Sequence, residues 1–252
     1  MRYHAQRRFP MIYVLSDIHG QKRRFDSILK QIDLRPEDTL YVLGDVIDRN
    51  PDGIKILRQI MSMPNVKMIL GNHEHMMLDA LYYPHDNEPD REYRQGLRMS
   101  RWYRNGGKIT HDYLKHIRKT LRGEIFEFLD SLPLNEEVLI DGKRFVLVHA
   151  APLEIYDEYR SFTKYENEKE FALWYRFTEF DANPCEGTVI FGHTKTNHFQ
   201  QGEPLHIWYG PGLIDIDCGS SAPEWSSSET TQKCRLACLR LDDMKEFYSE
   251  EG

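Results

Sequence analysis

Five side chains that can bind metal ions or move protons lie two to four positions after short apolar runs of the sequence. They are Asp17, His19, Asp45, Asn72 and His73. The runs that precede them are Met11–Leu15, Leu40–Leu43 and Val66–Leu70. A short apolar run rich in β-branched residues predicts a buried strand. The five side chains are therefore expected at the C-terminal ends of successive strands, the edge where open α/β sheets bind ligands.

The same arrangement recurs twice later in the chain. His149 follows the run Arg144–Val148, and His193 follows the run Thr188–Phe191. Carboxylate, amide and imidazole donors that converge from several strands suit divalent cations. Two such cations about 3.5–4 Å apart can neutralise an anionic phosphate ester and hold a nucleophile. One histidine after a strand is usually structural, but the recurrence predicts a metal-dependent site.

The elements that must position these residues alternate between strand and helix from Met11 to about Ala80. Between the apolar runs, residues such as Phe25 and Ile28 recur at helical spacing. The alternation predicts parallel strands joined by right-handed crossovers. We expect a single domain over residues 1–252, because no linker rich in Pro, Gly or Ser divides the chain.

The second half of the chain has a different pattern. Residues from about 84 to 132 are strongly charged with helical periodicity, which predicts a helical insertion beside the site. Asp141-Gly142 between two apolar runs predicts a β-hairpin. Further strands are predicted at Leu205–Tyr209, Leu213–Asp217, Lys233–Leu241 and Glu246–Ser249. Their close spacing favours a second, more antiparallel sheet.

Composition narrows the class of partner. The 252 residues carry a net charge of -7, which disfavours non-specific nucleic-acid binding because phosphate contact needs a basic surface. No run is long and apolar enough to span a bilayer, and the first apolar run is too short for a signal peptide. We therefore expect a cytoplasmic protein with neither a nucleic acid nor a membrane as its partner.

The polar residues fall in short blocks with a fixed order. The blocks are SDIHG (16–20), GDVIDRN (44–50), GNHE (71–74), VHAA (148–151) and GHT (192–194). They resemble the GDxHG, GDxxDRG, GNHE, strand-His and GHT blocks of the phosphoprotein-phosphatase family of calcineurin-like metallophosphoesterases. Within that family, the compact bacterial and bacteriophage serine/threonine protein phosphatases look most similar. Ser16, Asn50 and Ala151 stand where the family pattern has glycine, and none of these differences removes a ligand.

The resemblance implies an α/β fold in which two mixed β-sheets pack as a sandwich flanked by helices. It also implies two divalent metal ions, and Mn or Fe suits these donors best, with Zn possible. Asp17 and His19 would bind the first ion, and Asp45 would bridge both ions. The second ion would be completed by Asn72, His149 and His193.

The resemblance also implies catalytic and phosphate-binding roles. His73 would be the general acid that protonates the leaving oxygen, held by Asp48 in a carboxylate–histidine pair. Arg49 would bind phosphate oxygens through its planar guanidinium group, beside Asn72. The family has a second phosphate-binding arginine in a later loop, and the WYR sequence at 174–176 makes Arg176 the candidate.

We therefore predict a metal-dependent phosphomonoesterase of the serine/threonine protein phosphatase type. A hydroxide that bridges the two ions would attack phosphorus in line, and the partner would be a phosphorylated protein or peptide. A symmetrical diadenosine tetraphosphate hydrolase shares every block and remains an alternative, with dinucleoside polyphosphates or small phosphate esters as substrates. The alternative from another class is a non-catalytic module that binds metal or phosphate.

Two other segments have open interpretations. Four arginines recur at the spacing of one helix face: Arg91, Arg94, Arg98 and Arg101. A solvated face paired with nearby acids is the main interpretation, and a docking strip for an acidic segment or a polyphosphate is the alternative. The acidic, tyrosine-rich segment 157–170 is a candidate lid over the site.

Overall fold

The computed structural model describes residues 9–85, 88–181, 183, 185–202, 204–221 and 234–250. Within these residues, ten strands form two five-stranded sheets. In chain order they are β1 (Ile12–Leu15), β2 (Thr39–Val42), β3 (Val66–Met68), β4 (Asn135–Ile140), β5 (Lys143–Val148), β6 (Thr188–Phe191), β7 (Trp208–Tyr209), β8 (Leu213–Asp215), β9 (Ala237–Arg240) and β10 (Lys245–Tyr248).

Both sheets are mixed. The first has the order β10-β9-β1-β2-β3, in which β1, β2 and β3 are parallel and β9 and β10 are antiparallel to their neighbours. The second has the order β4-β5-β6-β8-β7, with β5, β6 and β8 parallel and an antiparallel strand at each edge. The α/β architecture predicted from the sequence is therefore confirmed.

Helices cover the outer faces of the sheets and connect the parallel strands. They are α1 (Lys22–Ile32), α2 (Gly53–Ser62), α3 (Asn72–Leu81), α4 (Arg91–Arg104), α5 (Lys108–Leu114), α6 (Lys119–Asp130), α7 (Tyr156–Tyr159) and α8 (Glu168–Trp174). The helices α4 to α6 fall where the helical insertion was predicted, and residues 86 and 87 of that segment lie outside the described residues. No helix within the described ranges has the length and apolar character needed to cross a membrane.

Alternating side chains of the strands fill three apolar layers, because successive residues of a strand point to opposite faces. Val14 of β1 packs with Ile190 of β6 in the layer between the two sheets. Tyr13 and Leu15 face the opposite way, into the layer beneath α1 and α2. Phe191 of β6 packs against α8 on the outer side of the second sheet. Both sheets are thus buried on two faces, which explains their continuous apolar runs.

The strands at the end of the chain differ from the prediction. They do not form a separate antiparallel sheet, because β9 and β10 extend the first sheet beside β1. Residues of β9 contribute to two layers, with Leu239 between the sheets and Cys238 in the layer on the helix side. Burial on both faces favours a place inside the existing sandwich. The predicted strand from Lys233 begins at Ala237, and Lys233 itself lies outside the described residues.

Candidate metal centre

The site begins with unusual backbone geometry at the ends of the strands. Ten of the described non-glycine residues have positive φ, and six of them are predicted site residues. These six are Asp17 (54°), His19 (47°), Asp45 (54°), Asp48 (69°), Arg49 (67°) and His193 (65°). Residues without glycine's freedom rarely adopt this region, and such strain persists only where the surrounding structure imposes it. The fold holds these side chains at one edge despite an energetic cost.

Asp45, at the end of β2, lies at the centre of the site. Its Oδ2 is 3.5 Å from Nε2 of His19 and 3.8 Å from Nε2 of His73. Its Oδ1 is 3.6 Å from Nε2 of His149. Asp17 completes one side, with Oδ1 3.7 Å from Nε2 of His19. One buried carboxylate therefore faces imidazole groups on two sides.

Asn72 joins the two histidines that follow strands of the second sheet. Its Oδ1 lies 2.8 Å from Nε2 of His149 and 3.1 Å from Nδ1 of His193. Two groups of three residues could each hold a metal ion, because the donor atoms within each group all lie within 4.8 Å of one another. The groups are His19–Asp45–His73 and Asp45–His149–His193. Asp45 belongs to both sets. The six predicted metal ligands are thus brought together.

Hydrogen bonds to the backbone orient two of these imidazoles. Nδ1 of His19 lies 3.0 Å from the carbonyl oxygen of Ile47, and Nδ1 of His149 lies 2.7 Å from that of Leu43. A histidine that donates from one nitrogen to a carbonyl presents the other nitrogen as a metal ligand. Among the described residues, the buried Nε2 atoms of His19 and His193 have no hydrogen-bond partner. Unpartnered imidazole nitrogens beside carboxylates fit divalent cations, which would complete their bonding.

His73 and Arg49 compensate the charge of Asp45 only in part. Burial raises the pKa of Asp45 well above its usual range, and the neighbouring carboxylate of Asp17 raises it further. Burial lowers the pKa of His19 and of His193 well below the usual value, so both rings favour the neutral form that binds metal. Cations at this position would supply positive charge that favours the ionised form of Asp45.

Glu74 supports the centre, and sequence reasoning gave it no role. Its Oε2 accepts a hydrogen bond from the backbone N–H of Asp45 (2.9 Å), and its Oε1 accepts from those of Val46 (2.9 Å) and Ile47 (3.2 Å). Three backbone donors on one buried carboxylate fix the turn that presents Asp45. The signal in the sequence is its place directly after His73 in the GNHE block.

Two glycines of the blocks allow close approach of the chain to the carboxylates. A Cβ at Gly71 would lie 2.4 Å from Oδ1 of Asp45, and a Cβ at Gly192 would lie 2.3 Å from Oδ2 of Asp17. Both distances are shorter than any normal contact between non-bonded atoms.

Two of the residues that differ from the family pattern form hydrogen bonds within the site. Ser16 donates to Asp17 (2.6 Å), and Asn50 donates to the carbonyl of His19 (2.9 Å).

His73 and Asp48 form a buried pair. Nδ1 of His73 lies 2.7 Å from Oδ2 of Asp48, and the same oxygen accepts a hydrogen bond from Nε1 of Trp102 (2.8 Å). The backbone N–H of Asp48 donates to Thr110 (3.1 Å). Burial works against protonation of the His73 ring, but the charge of Asp45 and the hydrogen bond to Asp48 leave its pKa raised. The contact of Trp102 could not be read from the sequence, because it joins residues 54 positions apart.

Arg49 and Arg176, the two predicted phosphate-binding arginines, lie at the rim of the site. Nη2 of Arg49 is 3.0 Å from Nε2 of His73, and since a guanidinium group can only donate, Nε2 accepts and the ring proton lies on Nδ1. Nη1 of Arg176 donates to the carbonyl of His193 (2.9 Å) and to Oγ1 of Thr194 (3.0 Å). Both groups therefore border the donor atoms from outside.

A cleft of about 850 Å³ adjoins the centre on the side of Arg176. Its walls come from three parts of the chain: Arg101 of α4, residues 162–165 of the candidate lid, and Glu170 with Trp174–Arg176 in and after α8. The candidate lid segment thus forms one wall of the cleft. Phe162 of that segment is 88% exposed.

Residues 10–216 match the family model described as calcineurin-like phosphoesterase. The chain belongs to this family. The predicted class of enzyme, a hydrolase that acts on phosphate esters, is thereby confirmed at the level of the family. The more specific resemblance to the serine/threonine protein phosphatases of bacteria and bacteriophages is not shown by this match.

The curated relatives carry a name other than that of the predicted branch. A protein of Acidovorax sp. named bis(5'-nucleosyl)-tetraphosphatase, symmetrical, is 30% identical over 144 residues, which cover 56% of this chain and 44% of that protein. Relatives of the same name from Erwinia tasmaniensis and Pectobacterium atrosepticum align over 72 residues. The chain spans between a quarter and less than half of the length of these relatives.

Solved structures of similar fold carry both kinds of name. One, proposed to be a diadenosine tetraphosphatase, has a TM-score of 0.58 at 16% identity and covers 98% of this chain and 97% of its own. A serine/threonine protein phosphatase from Saccharomyces cerevisiae has a TM-score of 0.54 at 16% identity, with 95% of this chain and 79% of its own covered. At such identities the likeness shows the fold alone, which is the predicted sandwich of two mixed sheets.

Proposed function

We propose that this protein hydrolyses dinucleoside tetraphosphates at a centre of two divalent cations. The observation that carries the proposal is that Asp45 belongs to both sets of donor atoms. A carboxylate shared in this way can hold two ions close enough to act on one phosphoryl group. The names of the curated relatives support this substrate over the phosphoprotein expected from the blocks.

The proposed ligand sets are those that the family resemblance implies. Asp17, His19 and Asp45 would hold one cation, and the other would be held by Asp45, Asn72, His149 and His193. His73 also lies near Asp45, but we assign it to proton transfer rather than to metal binding. Oxygen ligands mixed with imidazole suit Mn²⁺ or Fe, with Zn²⁺ as an alternative. When bound, the cations would draw charge from the phosphoryl oxygens and lower the pKa of an attacking water molecule. The ligands come from residues 17 to 193, which supports a single functional domain.

The chain's own residues would supply the remaining steps. Arg49 and Arg176 bind phosphoryl oxygens through charge-assisted hydrogen bonds, with the amide of Asn72 close by. A phosphate that accepts from Arg49 draws its guanidinium group away from Nε2 of His73, which is then free to carry a proton. As the bond from phosphorus to the leaving oxygen breaks, His73 gives that proton to the oxygen, while Asp48 holds the ring in place.

One observation favours a serine/threonine protein phosphatase as the second candidate. A serine alkoxide is a much poorer leaving group than a nucleoside diphosphate, so its departure depends more strongly on a proton donor. The buried chain of Trp102, Asp48 and His73 is suited to that task because every contact in it is fixed. The two substrates therefore have to be compared directly.

The test offers diadenosine tetraphosphate and a phosphoserine peptide in parallel to the purified protein with Mn²⁺, Fe²⁺ or Zn²⁺. We expect cleavage of the dinucleotide into two molecules of ADP, with a kcat/KM at least tenfold above that for the peptide. Phosphate release from the peptide without dinucleotide cleavage would establish the second candidate. If no metal supports hydrolysis of either substrate or of phenyl phosphate, the protein is a binding module rather than an enzyme.

A further inference from the structure

The arginines predicted to form a stripe on α4 have different surroundings. Arg98 pairs with two acids, Glu88 and Asp79, the latter at 3.3 Å from its Nε. Arg101 lies instead over the indole ring of Trp174, with its guanidinium carbon 4.5 Å from the ring centroid. Within the described part of the chain, Arg101 forms no ion pair with a carboxylate. The solvated, acid-paired interpretation thus holds for Arg98 and not for Arg101.

Trp174 connects this arginine to the metal centre. The indole meets the ring of His193 edge to face, with centroids 5.8 Å apart and an interplanar angle of 88°. Two residues further on, Arg176 donates to the backbone carbonyl of the same histidine. A phosphoryl group bound at the centre therefore lies next to the wall on which Arg101 is stacked.

The cleft beyond this wall has the size and chemistry of a nucleotide site. Its volume of about 850 Å³ lies within the range typical of small-molecule pockets. Arg101, Lys164 and Arg176 line it with positive charge, against the single carboxylate of Glu170. Aromatic rings, including Phe162, line the same space. The combination of cations and aromatic rings matches a ligand that is both planar and anionic.

We propose that Arg101, which lies over the indole ring of Trp174, is a stacking platform for a nucleobase of the substrate. The inference rests on the proposed function and names the part of the cleft that recognises the nucleoside. A guanidinium group that lies over one face of an indole can offer its other face to a base, and guanidinium planes stack on bases as aromatic rings do. The polyphosphate chain would run from this platform past Arg176 to the centre. Because the indole already orders the guanidinium group, little conformational entropy is lost on binding.

A set of three variants separates stacking from charge. Arg101→Gln removes both the charge and the guanidinium plane, and Arg101→Lys removes the plane alone. Arg94→Ala is the matched control, because it removes a positive charge two turns earlier on α4 and outside the cleft. Each variant is assayed with diadenosine tetraphosphate and with phenyl phosphate, which has no nucleoside.

For both Arg101 variants, we expect the ratio of the two kcat/KM values, dinucleotide over phenyl phosphate, to fall about tenfold, through the KM for the dinucleotide. Arg94→Ala should leave the ratio within about twofold of the wild-type value. If Arg101→Lys keeps the wild-type ratio, the arginine acts through charge alone and stacking is refuted. If the ratio is unchanged in both Arg101 variants, the platform is refuted while dinucleotide hydrolysis stands.

Direct binding provides a second readout. ATP and inorganic triphosphate are titrated by calorimetry into wild-type protein and Arg101→Gln. We expect wild-type protein to bind ATP at least tenfold more tightly than triphosphate, and the variant to lose most of that difference. Equal affinities in the wild type would overturn the platform. A wild-type protein that cleaves only the phosphopeptide would instead remove the proposed function on which the platform rests.

Discussion

The two sides of the site are built by different means. At the metal centre, Asp45, Asp48, His73 and His149 are almost completely buried, and each is fixed by at least one further hydrogen bond. On the cleft wall, Arg101 and Phe162 are exposed, and the contact that the described residues give the Arg101 guanidinium group is with the ring of Trp174. Rigid, buried donors suit chemistry, which requires reacting atoms to stay in one geometry. An exposed wall tolerates change, so recognition can vary while the chemistry is kept.

The largest expected effect comes from the carboxylate shared by both donor sets. Asp45→Asn keeps the shape of the side chain and an acceptor for the backbone N–H of His73, which lies 3.0 Å from Oδ1. It removes the charge that both proposed cations share. We expect metal content to fall and turnover on every substrate to drop about 10⁴-fold or more, the equivalent of 5–6 kcal/mol.

Elemental analysis of the purified variant measures the metal content. Asp215→Asn is the matched control, because it makes the same change at a buried acid of β8 outside the proposed ligand set. The control should retain both ions. Two full equivalents of metal in Asp45→Asn would show that Asp45 does not bridge.

The next effect tests whether the buried pair acts as a proton donor. His73→Asn should slow hydrolysis of an alkyl phosphate by about 10²–10⁴-fold while the metals stay bound, because the alkoxide then leaves without a proton. A nitrophenyl phosphate, with its better leaving group, should lose much less. His75→Asn, two residues further along α3, is the control and should keep full turnover. Unchanged turnover on the alkyl phosphate would refute the role of His73.

A smaller effect is expected at Trp102, which donates its hydrogen bond to Asp48 and not to His73 itself. Trp102→Phe removes the donor to Oδ2 of Asp48 and keeps an aromatic ring in a fully buried position. Losing a hydrogen bond to a charged group costs about 1.5–3 kcal/mol, and only part of this cost raises the activation free energy of the reaction. We expect kcat on an alkyl phosphate to fall about tenfold, with KM and the rate on nitrophenyl phosphate nearly unchanged. An equal loss on both esters would indicate general disruption instead.

The sequence allowed prediction of the residues of the metal centre but not of the contacts that support the centre or form the cleft wall. The residues of the centre were predictable because each block contains both the strand end and the side chain that it presents. The supporting contacts were not, because Trp102 meets Asp48 only through tertiary packing. The stacking of Arg101 on Trp174 has the same cause, since 73 positions separate them in the sequence and no periodicity links α4 to α8. The late strands were misplaced for a related reason: a strand pattern shows burial on a face but does not identify its neighbours.

The smallest effect concerns the acids behind the centre, where burial rather than chemistry sets the charge. Burial, and then the charge of Asp17, raise the pKa of Asp217 to about 7. In the unfolded chain this carboxyl has a pKa of about 3.9. Between these two values the folded state holds the extra proton, so this group's contribution to stability is lost as the pH rises from about 4 to about 7.

Asp217→Asn removes that loss, because asparagine cannot ionise and its Oδ1 can still accept from the backbone N–H of Gly219, which lies 2.9 Å from the carboxylate. In metal-free protein, we measure the melting temperature of the variant minus that of the wild type. We expect this difference to be at least about 3 °C larger at pH 8 than at pH 5. For a chain of this size 1 kcal/mol corresponds to roughly 2–4 °C. A difference that is the same at both pH values would show that Asp217 is ionised in the folded state throughout. Divalent cations should reduce the difference at pH 8, because positive charge beside Asp17 favours ionised carboxylates nearby. An exposed acid on the cleft wall has no such dependence on bound ions, so the pH and metal responses together separate the buried centre from the wall.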